Sequence, residues 1–263
     1  MENAILAIDN DGIDYHLIEF IGSGVEGDVW KVMNLSNQQI YALKLFTRTN
    51  FDQRTFKKSY QFLFSLHHPL IVRFDKYWYG PLLKFYPDSS SCGHLLMQYI
   101  EGPSLKNLIK QSSSAQKKTG SASPCVSKNV LLDLVTAVSY LNEEMKIYHG
   151  DIETDNIIIS NGKPIIFDFG FCGKIKKKPY YDRQSLGLIA LNLIVFNYQK
   201  MDQFESLIDW KNIRNKVLTR KQINYALNQS SIHLDPTQLP LIESFFDGSS
   251  YHRIIKLIHK ITF

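Results

Sequence analysis

The sequence has few cysteines and no long apolar run, and each absence excludes a class of protein. Its cysteines, Cys92, Cys125 and Cys172, are widely spaced and form no CxxC pair, so neither a zinc site nor a disulfide framework is indicated. This usage favours a reduced, cytoplasmic compartment. The longest apolar run, LGLIALNLIVF at 186–196, is too short to span a bilayer. It predicts a buried helix, and we expect no transmembrane segment.

A strong charge imbalance is also absent. Lys and Arg total 30 and Asp and Glu total 25, which gives a net charge of +5. That balance tolerates an anionic ligand but does not argue for nucleic acid, and we expect no nucleic-acid partner. The opening MENAILAIDNDG lacks a basic start and a long apolar run, so we expect no secretory signal. With 44% hydrophobic residues among 263, the chain can bury a core as one large domain or two small lobes.

Hydrophobic patterning divides the chain into a strand-rich first part and a helix-rich second part. Three strands are predicted within 15–46, a helix over 51–66, and further strands directly after Pro69 and at HLLMQYI. In the second part, helices are predicted near Ser104, over NVLLDLVTAVSYLNEE and from Asp182 onward. The short strands NIIIS and PIIFDF are predicted between the last two of these. We interpret 111–128 as a low-complexity loop. This order predicts an α+β fold with two lobes.

The stretch HGDIETDN is unusually rich in oxygen ligands. A calcium loop is one interpretation, because Asp151, Glu153 and Asp155 occupy the first, third and fifth positions of such a loop. Its sixth position is however Asn156 rather than glycine, and its twelfth is Gly162 rather than a bidentate glutamate. The pattern therefore argues against calcium binding.

A glycine-rich segment lies between the first two predicted strands. Gly22, Gly24 and Gly27 form GxGxxG, and glycines let backbone N–H groups approach phosphate oxygens closely. A dinucleotide-binding fold needs a helix after the glycines, whereas a strand follows here. A plain hairpin turn is the alternative. Lys44, on the next strand but one, favours phosphate binding because it can reach phosphates held under the hairpin; otherwise it is a strand lysine facing solvent.

Four motifs in order resemble the eukaryotic protein kinase family: IGSGVEGDV, YALK, HGDIETDN and FDFG. The resemblance spans roughly residues 15–200. It implies a bilobal α+β protein-kinase fold made by a single domain, 1–263. The implied parts are an N-lobe at 13–97, a hinge at 98–102 and a C-lobe at 103–263.

The resemblance implies catalytic and metal-binding roles. Lys44 would hold the α- and β-phosphates of ATP, and Asp151 would position the acceptor hydroxyl and take its proton. Asn156 and Asp168 would bind Mg²⁺. The residues that would cover the phosphates and enclose the adenine are Ile21, Gly22, Gly24, Gly27, Val29, Ala42, Gln98, Ile100 and Ile158, with Met97 at the back of the pocket.

The resemblance also implies supporting roles. Asp182 would brace the backbone of the catalytic loop, and His149 and Phe169 would pack in the core. Asp155 and Glu101 are interpreted as solvated or helix-capping.

The first departure from the family concerns Lys44. The family pairs this lysine with a glutamate on its helix C, but that position is Ser59, and no acidic residue occurs from Gln53 to Val72. Losing an orienting partner weakens catalysis without abolishing ATP binding. The side chains that could substitute are Gln61, Glu26 and Asp28.

The second and third departures concern the activation loop. Gly150 replaces the arginine that often reads a phosphorylated loop, and only residues 171–181 separate FDFG from Asp182, without an APE motif. The two losses agree, because without a loop to phosphorylate no arginine is needed to sense it. We expect no control by loop phosphorylation, and the usual groove for a peptide substrate is in doubt.

The fourth departure is Glu153, which stands where protein kinases typically carry a lysine near the γ-phosphate. A carboxylate there repels phosphate unless it meets a metal or a cationic substrate. Aminoglycoside and choline kinases also use an HGD loop without that lysine, which supports a small-molecule alternative.

A basic run follows FDFG. It is interpreted either as a solvated charged surface or as a site for an acidic protein, an inositol phosphate or an anionic lipid. Its lysines are Lys174, Lys176, Lys177 and Lys178.

The sequence therefore predicts an ATP- and Mg²⁺-dependent kinase of Ser or Thr in a protein substrate. The shortened activation segment is similar to that of secreted bacterial effector kinases, which implies activation by a binding partner and, for an effector, a place in the host cytoplasm. Two alternatives stay open: a pseudokinase that binds ATP or a partner without turnover, and a small-molecule or lipid kinase.

Overall fold

The computed structural model describes residues 6–48, 52–81, 91–119, 128–175, 181–195, 198–207 and 218–261. The chain forms two compact units, Met1–Glu101 and Gly102–Phe263. The division between them falls inside the segment predicted to be the hinge, 98–102.

The N-terminal unit is built on one antiparallel sheet with strand order β1-β2-β3-β4-β6-β5. The three strands predicted within 15–46 are confirmed. The first strand adds to the sheet edge by pairing with β2, so this unit starts before the predicted boundary at residue 13. The strands are β1 (Leu6–Ile8), β2 (Asp14–Ser23), β3 (Asp28–Asn34), β4 (Ile40–Phe46), β5 (Phe74–Gly80) and β6 (Cys92–Gln98).

Strand β4 separates two packed layers of the N-terminal unit. Tyr41, Leu43 and Leu45 face a core that includes Val32 and Trp78. The alternate residues of β4 point to the opposite face, because successive side chains of a strand alternate. Phe46 on that face packs edge-on against Phe56 of the helix that follows, with ring centroids 5.1 Å apart.

That helix, α1 (Gln53–Tyr60), is shorter than the predicted 51–66. Asp52 caps its start by accepting a hydrogen bond from Thr55 N at 2.7 Å, as N-cap aspartates do. A 3₁₀ turn (Gln61–Ser65) continues the chain. The strand predicted directly after Pro69 is wrong: Leu70–Val72 are buried but irregular, and β5 starts only at Phe74.

The C-terminal unit is mostly helical, as predicted. Its helices are α2 (Leu105–Thr119), α3 (Lys128–Ser139), α4 (Tyr181–Val195), α5 (Tyr198–Ser206), α6 (Arg220–Gln229), α7 (Gln238–Phe246) and α8 (Tyr251–Lys260). Two short antiparallel ribbons complete it, made by β7 (Ile147–Tyr148), β8 (Ile157–Ser160), β9 (Lys163–Ile166) and β10 (Gly173–Lys174). Strand β7 pairs with β10, and β8 pairs with β9.

Two predictions for this unit need correction. The predicted loop 111–128 is wrong over 111–119, because α2 continues to Thr119; residues 120–127 lie outside the described part. The helix predicted over 129–144 ends as a π-helical turn (Tyr140–Glu144) rather than as α-helix. Among the helices in the described ranges, none combines the length and apolar character needed to cross a bilayer.

Candidate active site

The glycine-rich segment joins β2 to β3 as a tight hairpin. Gly24 N donates to Gly27 O at 2.8 Å. A Cβ on Gly27 would lie 1.8 Å from the Leu45 carbonyl oxygen, whereas Cβ atoms on Gly22 and Gly24 would meet no atom within 4 Å. Gly27 is therefore required for the hairpin to pack on β4, while the other two glycines border open space.

The strand register brings several predicted nucleotide-binding residues to one face of the sheet. Val29 on β3 lies opposite Lys44 on β4, and Ala42 lies opposite Met97 on β6. Directly opposed residues share a face, as do residues two apart in a strand. Of the other predicted residues of this unit, Ile21 and Gln98 are exposed and Ile100 is half-buried.

Lys44 has a carboxylate partner despite Ser59. Its ammonium donates to Glu26 Oε2 at 2.6 Å, and both side chains are largely buried. Glu26 thus takes the place that the sequence left open among three candidates. Asp28 pairs instead with Arg48, at 2.9 Å.

The HGDIETDN loop of the C-terminal unit is held by the buried carboxylate of Asp182, as predicted. Asp182 Oδ2 accepts from His149 N at 2.8 Å and Oδ1 accepts from Gly150 N at 2.9 Å. Asn142, in the π-helical turn, donates to the same carboxylate at 2.9 Å and to Ile147 O at 3.0 Å. These bonds fix the main chain just before Asp151.

Asp151, Asn156 and Asp168 are brought together by the loop and the β8–β9 ribbon. Asn156 Nδ2 donates to Asp151 Oδ2 at 2.8 Å and to the Asp151 carbonyl at 3.0 Å. Asn156 immediately precedes β8 and Asp168 follows β9, and Phe167 N donates to Asn156 O at 3.1 Å. Because the two strands are antiparallel, their adjoining ends place the two predicted metal ligands near each other. Asp168 has the unusual φ of 60°, a conformation that tends to occur at functional sites.

His149 and Phe169 pack in the core, as predicted, with ring centroids 4.4 Å apart. His149 Nδ1 accepts from Asp151 N at 3.2 Å while Nε2 contacts Phe167 O at 3.0 Å, which defines a neutral ring with its proton on Nε2. Burial lowers the pKa of His149 below its usual range, although the nearby carboxylate of Asp182 opposes this.

Gly150 has a reason of its own to be glycine. Its φ is +84°, and a Cβ would lie 2.5 Å from the carbonyl oxygen of Phe171. Both features exclude an arginine from this backbone. The loss of the arginine therefore follows from the local backbone as well as from the short activation segment.

Glu153 borders a cavity of ≈ 710 Å³ within the C-terminal unit, with an apolar side formed by residues such as Leu188 and Met201. The surrounding protein and the charges of Asp151 and Asp155 raise the pKa of Glu153. Across the same cavity, burial and nearby carboxylates raise the pKa of Glu205. The cavity is thus electronegative and suited to a cationic group.

The other predicted residues take minor positions or lie outside the described chain. Asp155 forms an exposed ion pair with Lys106 at 2.5 Å, in agreement with a solvated role. Lys174 is exposed on β10. Ile158 lies on β8. Lys176, Lys177 and Lys178 lie outside the described residues.

Sequence reasoning missed Tyr60 and Glu205. Tyr60 donates to Glu26 Oε1 at 2.9 Å, and the only available signal was its place beside Ser59, at the end of the apolar face of α1. Glu205 is carried by α5, far along the chain from HGDIETDN, and no local motif marks it.

Comparison with known proteins supports a single family. The family model described as protein kinase domain matches residues 15–188. MAP kinase kinase MKK1/SSP32 of Saccharomyces cerevisiae is 30% identical over 162 residues, covering 59% of this chain and 29% of that protein. Serine/threonine-protein kinase RAD53 of the same yeast is 24% identical over 215 residues, covering 74% of this chain and 24% of that protein.

The similarity covers a larger share of a bacterial relative than of the two yeast kinases. Probable serine/threonine-protein kinase YbdM of Bacillus subtilis is 26% identical over 200 residues, which cover 70% of this chain and 71% of that protein. The chain thus spans less than a third of the two yeast kinases but most of the bacterial one. The matched domain carries the predicted α+β fold, with its strand-rich N-terminal and helical C-terminal parts. The chain belongs to the protein kinase family.

Proposed function

We propose that this protein transfers the γ-phosphate of Mg-ATP to Ser or Thr of a protein. The observation that carries the proposal is the hydrogen bond from Asn156 Nδ2 to Asp151 Oδ2, at 2.8 Å, in a loop whose backbone Asp182 fixes. A loop released from catalysis would not need a base, an amide and a brace in this arrangement. The choice of Ser or Thr is supported by the names of related kinases.

Asp151 acts as the catalytic base. One of its carboxylate oxygens accepts from Asn156, which leaves the other to accept a hydrogen bond from the acceptor hydroxyl. The Asp151 carboxylate orients the hydroxyl oxygen for attack on the γ-phosphorus and takes the hydroxyl proton. The new phosphate ester bond forms as the bond from the γ-phosphorus to the ADP oxygen breaks, and ADP leaves. Phosphoryl transfer depends mainly on such positioning.

Asn156 and Asp168 fit Mg²⁺. The metal prefers carboxylate and carbonyl oxygens, and Asn156 uses its Nδ2 toward Asp151, so its Oδ1 is the atom left to bind a cation. Bound Mg²⁺ would neutralise charge on the β- and γ-phosphate oxygens.

The N-terminal unit binds the nucleotide in this proposal. Lys44 holds the α- and β-phosphates, and backbone N–H groups near Gly22 and Gly24 cover them, where the hairpin borders open space. Val29 and Ala42 contribute to the adenine site with Ile21, Gln98 and Ile100. The role of Ile158, on β8, stays a prediction.

Activation-loop phosphorylation plays no part in this proposal. The backbone at Gly150 excludes the arginine that would read a phosphate, and a binding partner would supply activation instead. An acidic protein, an inositol phosphate or an anionic lipid at Lys174 and its neighbouring lysines is the partner chemistry that the basic run favours.

A pseudokinase is the second candidate, and Glu153 favours it. The negative charge of the Glu153 carboxylate near Asp151 opposes the approach of phosphate, so the fold would bind a nucleotide or a partner without transfer. Intact Asp151, Asn156 and Asp168 oppose this candidate.

The test is transfer of label from [γ-³²P]ATP with Mg²⁺, alone and with cell lysate, lipid vesicles or aminoglycosides, beside Asp151→Asn. Label on Ser or Thr of a protein, lowered about 10²- to 10⁴-fold in the variant, supports the proposal. Asp155→Asn is the matched control, because it changes an exposed carboxylate of the same loop. Label on lipid or drug would indicate the small-molecule class, and ATP binding without transfer would indicate the pseudokinase.

A further inference from the structure

The carboxylate that orients Lys44 comes from the glycine-rich hairpin rather than from α1. Glu26 Oε2 lies 2.6 Å from the Lys44 ammonium, and the lysine side chain is only 9% exposed. Helix α1 ends at Tyr60 and has no acidic residue. Helix α1 therefore offers Lys44 no carboxylate of its own, unlike the helix that carries the family's glutamate.

Tyr60 links α1 to Glu26. Its hydroxyl donates to Glu26 Oε1 at 2.9 Å, so each oxygen of the glutamate has one donor, the ammonium on one side and the phenol on the other. Tyr60 as a whole is 4% exposed, and the centroid of its ring lies 4.8 Å from that of Phe46 and 5.0 Å from that of Phe56. This packing fixes the direction of the hydroxyl.

The backbone that carries Glu26 is held as well. Arg48 N donates to Glu26 O at 3.1 Å. The Arg48 guanidinium donates to Gly24 O at 3.0 Å and to Asp28 Oδ1 at 2.9 Å. On the next residue, Gly27 packs directly on Leu45. The carboxylate is therefore positioned by both its main chain and its hydrogen-bond partner.

We propose that Glu26 and Tyr60 are positioning residues that together replace the missing helix-C glutamate. Glu26 orients the Lys44 ammonium toward the nucleotide phosphates, and Tyr60 makes this orientation depend on the position of α1. The proposal rests on the proposed kinase function for its effect on turnover, but the link itself exists in the protein without nucleotide. A movement of α1 breaks the phenol–carboxylate bond and loosens Lys44.

The test compares Glu26→Gln, Tyr60→Phe and the double variant in kcat and KM for Mg-ATP, with thermal melting as the check on folding. A hydrogen bond to a charged group predicts a fall in kcat/KM of about 10- to 100-fold for Glu26→Gln. For Tyr60→Phe the fall is about 3- to 10-fold, because the carboxylate keeps the lysine but loses its second anchor. Matched controls are Glu19→Gln, exposed on β2, and Tyr225→Phe, exposed on α6.

The double variant separates a relay from two independent effects. If Tyr60 acts through Glu26, the double variant is no slower than Glu26→Gln alone. Losses that multiply would overturn the proposal, since Tyr60 would then act by packing alone. A rise in kcat for Glu26→Gln would also overturn it, because Glu26 would then restrain Lys44 rather than position it.

A readout without turnover keeps this test separate from the proposed function. In ¹³C-lysine NMR, the Lys44 resonance, assigned with Lys44→Arg, gives the pKa of its ammonium. Loss of the carboxylate in Glu26→Gln lowers that pKa, while Glu19→Gln leaves it unchanged. An unchanged value in Glu26→Gln refutes the link; a lowered value in a protein without transfer refutes only the kinase activity.

Discussion

The two units hold their functional side chains by different means. In the C-terminal unit, Asp182 binds main-chain N–H groups of His149 and Gly150, so the loop depends on backbone geometry. In the N-terminal unit, Lys44 is held by side-chain hydrogen bonds: its ammonium donates to Glu26, and Tyr60 donates to the same carboxylate. A backbone-held site tolerates little change in its residues, whereas a side-chain partner can be supplied from another element.

The largest effect is expected from a substitution that breaks the backbone hydrogen bonds of the loop in the C-terminal unit. Asp182→Asn replaces an acceptor oxygen by an amide donor that faces an N–H of the loop, and leaves buried donors without acceptors. We expect the free energy of unfolding to fall by about 3 kcal/mol, measured by urea denaturation. Asp155→Asn removes an exposed ion pair and should change stability by less than about 1 kcal/mol. Equal losses in the two variants would contradict a backbone brace.

The next largest loss of stability is expected from a substitution of Gly150. Gly150→Ala puts a side chain at φ +84° and within 2.5 Å of the Phe171 carbonyl, and we expect a loss of about 2 kcal/mol in unfolding free energy. Gly162→Ala is the matched control, because Gly162 has φ +76° but no atom within 4 Å of a Cβ. It should lose about 1 kcal/mol, from the backbone alone. If both variants lost the same, the contact with Phe171 would carry no cost.

The sequence predicts the backbone-held loop of the C-terminal unit better than it predicts the side-chain partners of Lys44. HGDIETDN and Asp182 are recognisable because backbone geometry requires particular residues at fixed spacing. Tyr60 is not, since its contact with Glu26 joins residues far apart in the chain and depends on how α1 packs. Local composition also misled: the serine-rich stretch from residue 111 looked like a loop, but Ala115 and the Gln and Lys residues around it are good helix formers, and the first helix breaker is Gly120.

A smaller effect, on the rate of phosphorylation, is expected from Glu153 in the cavity that it shares with Glu205. Glu153 is the residue of the HGDIETDN loop that departs from the family. Glu153→Lys reverses the charge that faces Glu205 and should lower phosphorylation of an Arg- and Lys-containing acceptor about 10-fold, by removing one ion pair with a cationic group. ATP affinity should change little. Initial rates with basic and neutral peptides measure this preference, and Glu144→Lys, an exposed change in the π-helical turn, is the control. A rate increase would mean instead that Glu153 restrains an ordinary kinase.

The smallest effect is a pH dependence carried by His149. Its pKa is lowered in the folded protein, mainly by burial, so below the unfolded value of about 6.5 the unfolded chain binds more protons than the folded one. Stability is therefore complete above that pH and falls as pH decreases through it. Protonation at Nδ1 would also remove the acceptor that Asp151 N uses. Between pH 7.5 and 5.5 we expect the free energy of unfolding of the wild type to fall by about 1 kcal/mol. His149→Gln should lack this fall, and the exposed control His67→Gln should retain it. Urea unfolding at both pH values measures the difference. The same slope in His149→Gln as in the wild type would assign the pH dependence to other groups and leave the catalytic loop insensitive to acid.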